Sequence, residues 1–258
     1  MKLGVNIDHI AVLREARKIA DPNPLDAISI VKRAGAEQIT IHLREDRRHI
    51  QDIDAKNIIE LSSLPVNLEC AMANEIIDIV LTLKPHRITL VPEKREEVTT
   101  EGGLYILGEQ PKLKNTINRL QDNEIEVSLF IDPTQENIDV SKELGVEWIE
   151  FHTGKYANIY AMLYSNLGNT HHSIESLNLP RKELSEMLQN EIETLKLLSS
   201  NAKAMGLRVA AGHGINYQNV KAISKIDDIE ELNIGQSIIA RSIWVGLEQA
   251  IIDMKNLL

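Results

Sequence analysis

Five side chains suited to acid–base or anion chemistry crowd one short stretch: His42, Arg44, Arg47, Arg48 and His49. They follow directly on Ile39-Thr-Ile41, a β-branched run that reads as a buried strand. A strand that passes without a turn into imidazoles and guanidinium groups suits the floor of a site for a small anion. A solvated basic loop is the competing reading, and this stretch alone does not separate the two.

Further candidates stand at the ends of other apolar runs. Glu69 closes Val66-Asn-Leu-Glu69. Partial burial there raises a carboxylate's proton affinity and can poise it as a general base, unless an arginine pairs with it. His213 lies between Gly212 and Gly214, after Leu207-Arg-Val-Ala-Ala211. Histidine changes charge near neutral pH, and flanking glycines let a ligand approach the main chain. For His42 a satisfied core histidine is the alternative. Asn6 and Asp8 follow the first run, and Arg17 lies beyond them as a second possible anion anchor. Glu93, Asp132, Glu150, His152 and Gly235-Gln236 mark four more run ends. Ionisable groups thus recur at run ends and are scarce within the runs. Trp148 and Trp244 are read as packing, His171 and His172 as surface residues, and Cys70 as without a role.

The elements that must hold these residues alternate. Eight strand-like runs are expected at 3–7, 39–42, 66–69, 87–91, 126–131, 147–151, 207–211 and 231–234. Helical periodicity predicts helices over 24–34, 54–61, 74–83, 113–123, 134–144, 181–205, 216–224 and 238–257. Asp54 is the expected cap of the second of these, and Pro24, Gly145 and Gly206 are start and stop signals. Strict alternation implies parallel βαβ units, and eight of them match an α/β (β/α)8 TIM barrel with extra helices. A doubly wound open sheet is disfavoured, because no glycine-rich fingerprint follows the first run. The whole of 1–258 reads as a single TIM-barrel domain. Residues 155–180 form a polar insertion, expected as a short extra helix, a lid or an oligomer contact. In a barrel of this kind the active site lies at the C-terminal strand ends. Gly214 and Gly235 follow the seventh and eighth strands, where barrels commonly bind phosphate through backbone N–H groups.

Composition narrows the class. Among 258 residues, 43% are hydrophobic but only 3% aromatic, so the core is aliphatic. The formal charge of −10 disfavours generic nucleic-acid binding and leaves the basic cluster to a small anion in a pocket. One cysteine suits a reducing compartment. Asn6, Asp8 and His9 interrupt any secretory apolar segment, and no run is long enough to span a membrane, so a cytoplasmic location is expected.

The strings Gly4-Val-Asn-Ile-Asp-His-Ile-Ala11, Ile41-His-Leu-Arg-Glu-Asp-Arg-Arg-His-Ile50, Asn67-Leu-Glu69, Leu90-Val-Pro-Glu-Lys-Arg95, Glu97-Val-Thr-Thr-Glu-Gly-Gly103, Ser128-Leu-Phe-Ile-Asp132, Glu150-Phe-His-Thr-Gly154, Ala211-Gly-His-Gly214 and Glu231-Leu-Asn-Ile-Gly235 resemble the pyridoxine 5′-phosphate synthase family. The match spans nearly the whole chain in order. The resemblance implies a (β/α)8 barrel with extra helices, assembled as a homo-octamer. It implies condensation of 3-amino-2-oxopropyl phosphate with 1-deoxy-D-xylulose 5-phosphate to pyridoxine 5′-phosphate, phosphate and water, without metal or redox cofactor. By motif, His42 and Glu69 match the family's proton acceptors and His213 its proton donor. Asn6, Arg17, Gly214, Gly235 and Gln236 match contacts to the amino-ketone phosphate. Asp8, His9, Arg44, His49 and Thr99 match contacts to the deoxyxylulose phosphate. Two departures stand out: the family usually carries histidine where Gln236 stands, and the 155–180 segment is longer than expected. Two rivals remain. One is a metal-dependent TIM-barrel hydrolase or aldolase using His42, Glu69 and His213 as ligands. The other is a non-catalytic binder of phosphorylated metabolites.

Overall fold

The computed structural model describes residues 1–93, 102–108 and 110–258. Its centre is a closed barrel of parallel strands in chain order: β1 (Lys2–Asn6), β2 (Gln38–His42), β3 (Val66–Cys70), β4 (Arg87–Leu90), β5 (Glu126–Ile131), β6 (Trp148–His152), β7 (Arg208–Gly212) and β8 (Glu231–Ile234). β8 pairs with β1 through Lys2–Glu231 to Val5–Ile234 and closes the ring. Each expected run is a strand, shifted by a residue at most at its ends, because β-branched side chains fit the pleat and each run stops at polar or turn residues.

The outer layer holds α2 (Ala27–Arg33), α3 (Asp52–Leu61), α4 (Asn74–Leu83), α5 (Gln110–Gln121), α6 (Gln135–Leu144), α8 (Arg181–Ala204), α9 (Val220–Ile223), α10 (Gln236–Val245) and α11 (Leu247–Lys255). Their apolar faces bury Val31, Ile58, Val80, Ile117, Ile138, Leu195 and Ile251 against the outer side of the sheet. That layer is the aliphatic core expected from composition.

Several boundaries differ from expectation for local reasons. Pro24–Asp26 is a 3-10 turn capped by Asn23, and the α-helix starts only at Ala27. α3 begins at Asp52, with Asp54 one turn inside it, where its carboxylate accepts from the N–H of Gln51. α5 starts at Gln110. The expected 216–224 helix contracts to Val220–Ile223, since Asn216 and Asn219 bond neighbouring backbone instead. The expected 238–257 helix is two helices, broken at Gly246. One helix was not expected, and the second bears out the extra helix that the 155–180 insertion allowed. The first, α1 (Asp8–Glu15), follows β1. The second, α7 (Gly154–Tyr164), opens the 155–180 insertion, which continues through two 3-10 turns into α8.

The barrel interior is polar. Arg87 Nη1 of β4 reaches Glu231 Oε1 of β8 at 2.8 Å, and Thr40 of β2 reaches Asn233 of β8 at 3.0 Å. Bonds between strands that are not neighbours cross the barrel lumen. Asn233 Nδ2 then donates to Glu150 Oε2 at 2.7 Å, near the top. The expectation that ionisable groups avoid the strands fails for these inward positions: alternation hides them among outward-facing Ile, Leu and Val. Trp148 is fully buried, between the guanidinium groups of Arg87 and Arg208. Trp244 is 86% exposed, so the packing expected of it is absent within this chain, because the apolar end of α10 faces outward.

Candidate active site

A cavity of about 500 Å³ opens at the C-terminal strand ends. Of the candidates, Asn6, Asp8, His9, His42, Arg44, His49, Glu69, His213, Gly214, Gly235 and Gln236 line it. Arg17 is exposed beyond the end of α1 and does not line it. Thr99 falls outside the described residues.

The β1 and β2 ends are locked by Asp8. Its carboxylate accepts from Asn6 Nδ2 and from the His42 N–H, both at 2.9 Å. His42 therefore has a fixed backbone, and its ring lies between two carboxylates. Glu93 Oε1 is 3.2 Å from Nε2, and Glu69 Oε2 is 4.0 Å from Nδ1. Glu93 also accepts from the Glu45 N–H at 2.8 Å, which ties the end of β4 to the basic loop. Burial pushes the Glu93 carboxyl up, but hydrogen bonds from His42 and the Glu45 N–H outweigh it and leave it below its ordinary range.

The opening cluster divides by partner. Arg44 is buried with His49 against the cavity. Ile50 N–H donates to His49 Nδ1 at 2.9 Å, so the neutral ring carries its proton on Nε2. Arg14 supports this loop from below, forking onto both oxygens of Asp54 and donating to the His49 carbonyl. Arg47 pairs with Asp52, and Arg48 with Asp46. Arg44 shares Asp46 through its Nε at 3.2 Å and, unlike Arg47 and Arg48, lines the cavity with His49.

Glu69 and Glu150 share the cavity floor. Burial first, and then the charges of Glu150 and Asp8, hold the Glu69 carboxyl well above the usual range. Burial pushes Glu150 up to about 7, against the hydrogen bond from Asn233 that lowers it. Two desolvated carboxylates of this kind are suited to exchange protons near neutral pH. Glu150 stood among the strand ends in the sequence without a role. Alternation along Trp148–His152 places it inward, on the same side as Trp148 and His152.

At β7, His213 adopts φ +76, an uncommon conformation for a residue with a side chain. Thr153 Oγ1 lies 2.6 and 2.7 Å from the carbonyls of Gly212 and His213 and pins this turn. Gly214 follows at φ +78. Gly235 caps α10, whose first N–H groups, at Gln236 and Ser237, have no carbonyl to reach within the helix. The helix start and the turn face one side of the cavity and suit a phosphate. The cavity lining thus holds a guanidinium and an imidazole, from Arg44 and His49, and the turn and helix start at Gly214 and Gly235. Among the described residues, no cluster of three His, Cys, Asp or Glu side chains is arranged to hold a metal ion.

Comparison with known proteins gives a consistent answer. A profile of the family described as pyridoxal phosphate biosynthesis protein PdxJ matches residues 3–258. The pyridoxine 5′-phosphate synthase of a Sulfurovum species is 70% identical over all of both chains. That of Aliarcobacter butzleri is 70% identical over 100% of this chain and 99% of its own, and that of a Nitratiruptor species is 64% identical over 100% and 97%. Among solved structures, phosphoribosyl anthranilate isomerase from Thermus thermophilus has a TM-score of 0.53 at 12% identity, covering 100% of this chain and 98% of its own. That likeness is one of fold alone.

Proposed function

The chain belongs to the pyridoxal phosphate biosynthesis protein PdxJ family, and from that premise we propose that its strand-end cavity is where it makes pyridoxine 5′-phosphate. The substrates are 3-amino-2-oxopropyl phosphate and 1-deoxy-D-xylulose 5-phosphate, joined with release of phosphate and water. The observation that carries the assignment of the site is one cavity lined by Arg44 and His49, by the Gly214 and Gly235 backbone, and by the carboxylates Glu69 and Glu150. Arg44, His49, His9 and Asp8 hold the deoxyxylulose phosphate, with Thr99 as a further contact. Gly214, Gly235, Gln236 and Asn6 hold the amino-ketone phosphate; Arg17, outside the cavity lining, is left without a contact to it.

The reaction is a ring-closing transfer by general acid–base catalysis. Imine formation, dehydration and carbon–carbon closure each need a proton removed at one atom and delivered at another. Glu69 is a proton acceptor, since burial makes its carboxylate a stronger base than an exposed one. His42 is the second acceptor, kept in place by Asp8 and Glu93. His213 is the donor. Gln236 in place of the usual histidine is compatible with a phosphate contact through the backbone N–H of α10.

The protein works in the cytoplasm as a homo-octamer. The exposed Ile243 and Trp244 on α10 support a contact between subunits. No described helix is long and apolar enough to cross a membrane.

The test is to mix the purified protein with both substrates and follow the pyridine product and phosphate. Glu69→Gln should lower turnover by at least ~10²-fold with substrate affinity nearly unchanged. Normal turnover by this variant removes Glu69 as a base, and retained metal-dependent activity on another substrate would favour the hydrolase or aldolase reading.

A further inference from the structure

Three rings meet beside the β7 turn. The His152 and His213 rings are 4.9 Å apart at 57°, and Phe130 packs on both. His152 is 7% exposed. Its Nδ1 lies 3.1 Å from Asp132 Oδ1, and that carboxylate also accepts from the Gly103 N–H at 2.9 Å. Its Nε2 is buried and has no hydrogen-bond partner among the described residues. A Cβ on Gly154 would lie 2.5 Å from His152 Nε2 and 3.3 Å from His213 Cδ2. The Nε2 side of one ring and the Cδ2 edge of the other therefore meet over the bare Cα of Gly154. Any side chain there would part them.

We propose that Asp132 and His152 are a positioning pair that keeps His213 in its proton-donating form. The inference rests on the reading of His213 as the donor. With the carboxylate at Nδ1, the neutral His152 ring carries its proton toward Asp132 and turns its lone pair outward at Nε2. The negative end of that ring dipole, with a carboxylate behind it, is buried against His213 and favours a positive charge there. Thr153 fixes the His213 backbone at the same time, so one tripeptide, His152-Thr153-Gly154, sets both the position and the charge of the donor.

Among the described residues, the other charged groups on this side of the cavity are placed as follows. Glu150 on β6 and Glu69 on β3 are carboxylates of the cavity floor. Lys155 on α7 is drawn away to Glu191 at 2.6 Å. From β8 the cavity receives the uncharged Asn233. Asp132 is half exposed, so solvent screens part of its effect.

The experiment is a pH profile of kcat and KM on the full-length enzyme with both phosphorylated substrates. Asp132→Asn keeps an acceptor for His152 and Gly103 but loses the charge, and His152→Phe keeps the ring but loses the lone pair. Both should move the alkaline limb of kcat to lower pH by about 0.5 unit or more, with KM within about twofold and the acidic limb in place. The double variant should move it no further. NMR titration of the His213 imidazole in Asp132→Asn supplies a readout independent of turnover. An unmoved His213 titration overturns the pairing, whatever the kinetics show. A shifted titration, with turnover retained in His213→Asn, leaves the pairing standing and removes His213 as the donor instead. If His152→Phe fails to fold, Asp132→Asn decides alone.

Discussion

The carboxylates on the cavity floor are held in a costly state. Glu150 is pushed up to about 7 by burial, and its charge in turn raises Glu69. Replacing Glu150 by Gln removes that repulsion, so the acidic limb of kcat, where Glu69 must lose its proton, should move to lower pH. A pH–rate profile checks this, and an unmoved limb would show that Glu69 does not set it. Stability should change as well. In the folded chain Glu150 keeps a proton that the unfolded chain releases near pH 4.5, so folding is favoured below that pH and weakened as pH rises through 7. Glu150→Gln should therefore gain on the order of 3 kcal/mol at pH 8 and almost nothing at pH 4, in urea titrations at the two pH values. A site that destabilises its own fold at working pH is the usual cost of a poised carboxylate.

At the scale of elements, the phosphate side depends on a turn and a helix end. A Cβ at Gly214 would lie 2.5 Å from Ala157 Cβ, in a backbone conformation unfavourable for alanine. Gly214→Ala should cost about 1–2 kcal/mol in thermal unfolding and raise KM for the amino-ketone phosphate more than for its partner. Gln236→Ala keeps the α10 N–H groups, so KM should change by less than about twofold. A larger rise would put the side chain on the phosphate. The sequence announced both positions through their glycines. It allowed a short helix in the 155–180 insertion but not its start at Gly154, directly after β6. The resemblance already set Arg44 and His49 apart from Arg47 and Arg48 in the basic run; the partners of the last two came only with the structure. Arg47 and Arg48 turn to Asp52 and Asp46, beside a φ +51 turn at Arg47.

The whole molecule is an aliphatic shell around a polar axis. Arg87 links β4 to β8 inside the barrel, and Glu231 depends on it for charge balance. Arg87→Met should cost about 3–5 kcal/mol by chemical denaturation, because it strands a buried carboxylate. Arg87→Met with Glu231→Gln should recover much of that loss; no recovery would mean that the Trp148 stacking matters more.

The sequence by itself determined the barrel, since eight apolar runs alternating with amphipathic segments leave few other ways to bury their faces. It also determined which strand ends carry His42, Glu69 and His213, because strand order and direction carry them to one rim. Only the tertiary structure decided which of those groups interact. Glu69 with Glu150, His42 with Glu93 and His152 with His213 are neighbours across β-strands far apart in the chain. Their protonation depends on distance and desolvation, which closure of the barrel creates and local sequence does not encode.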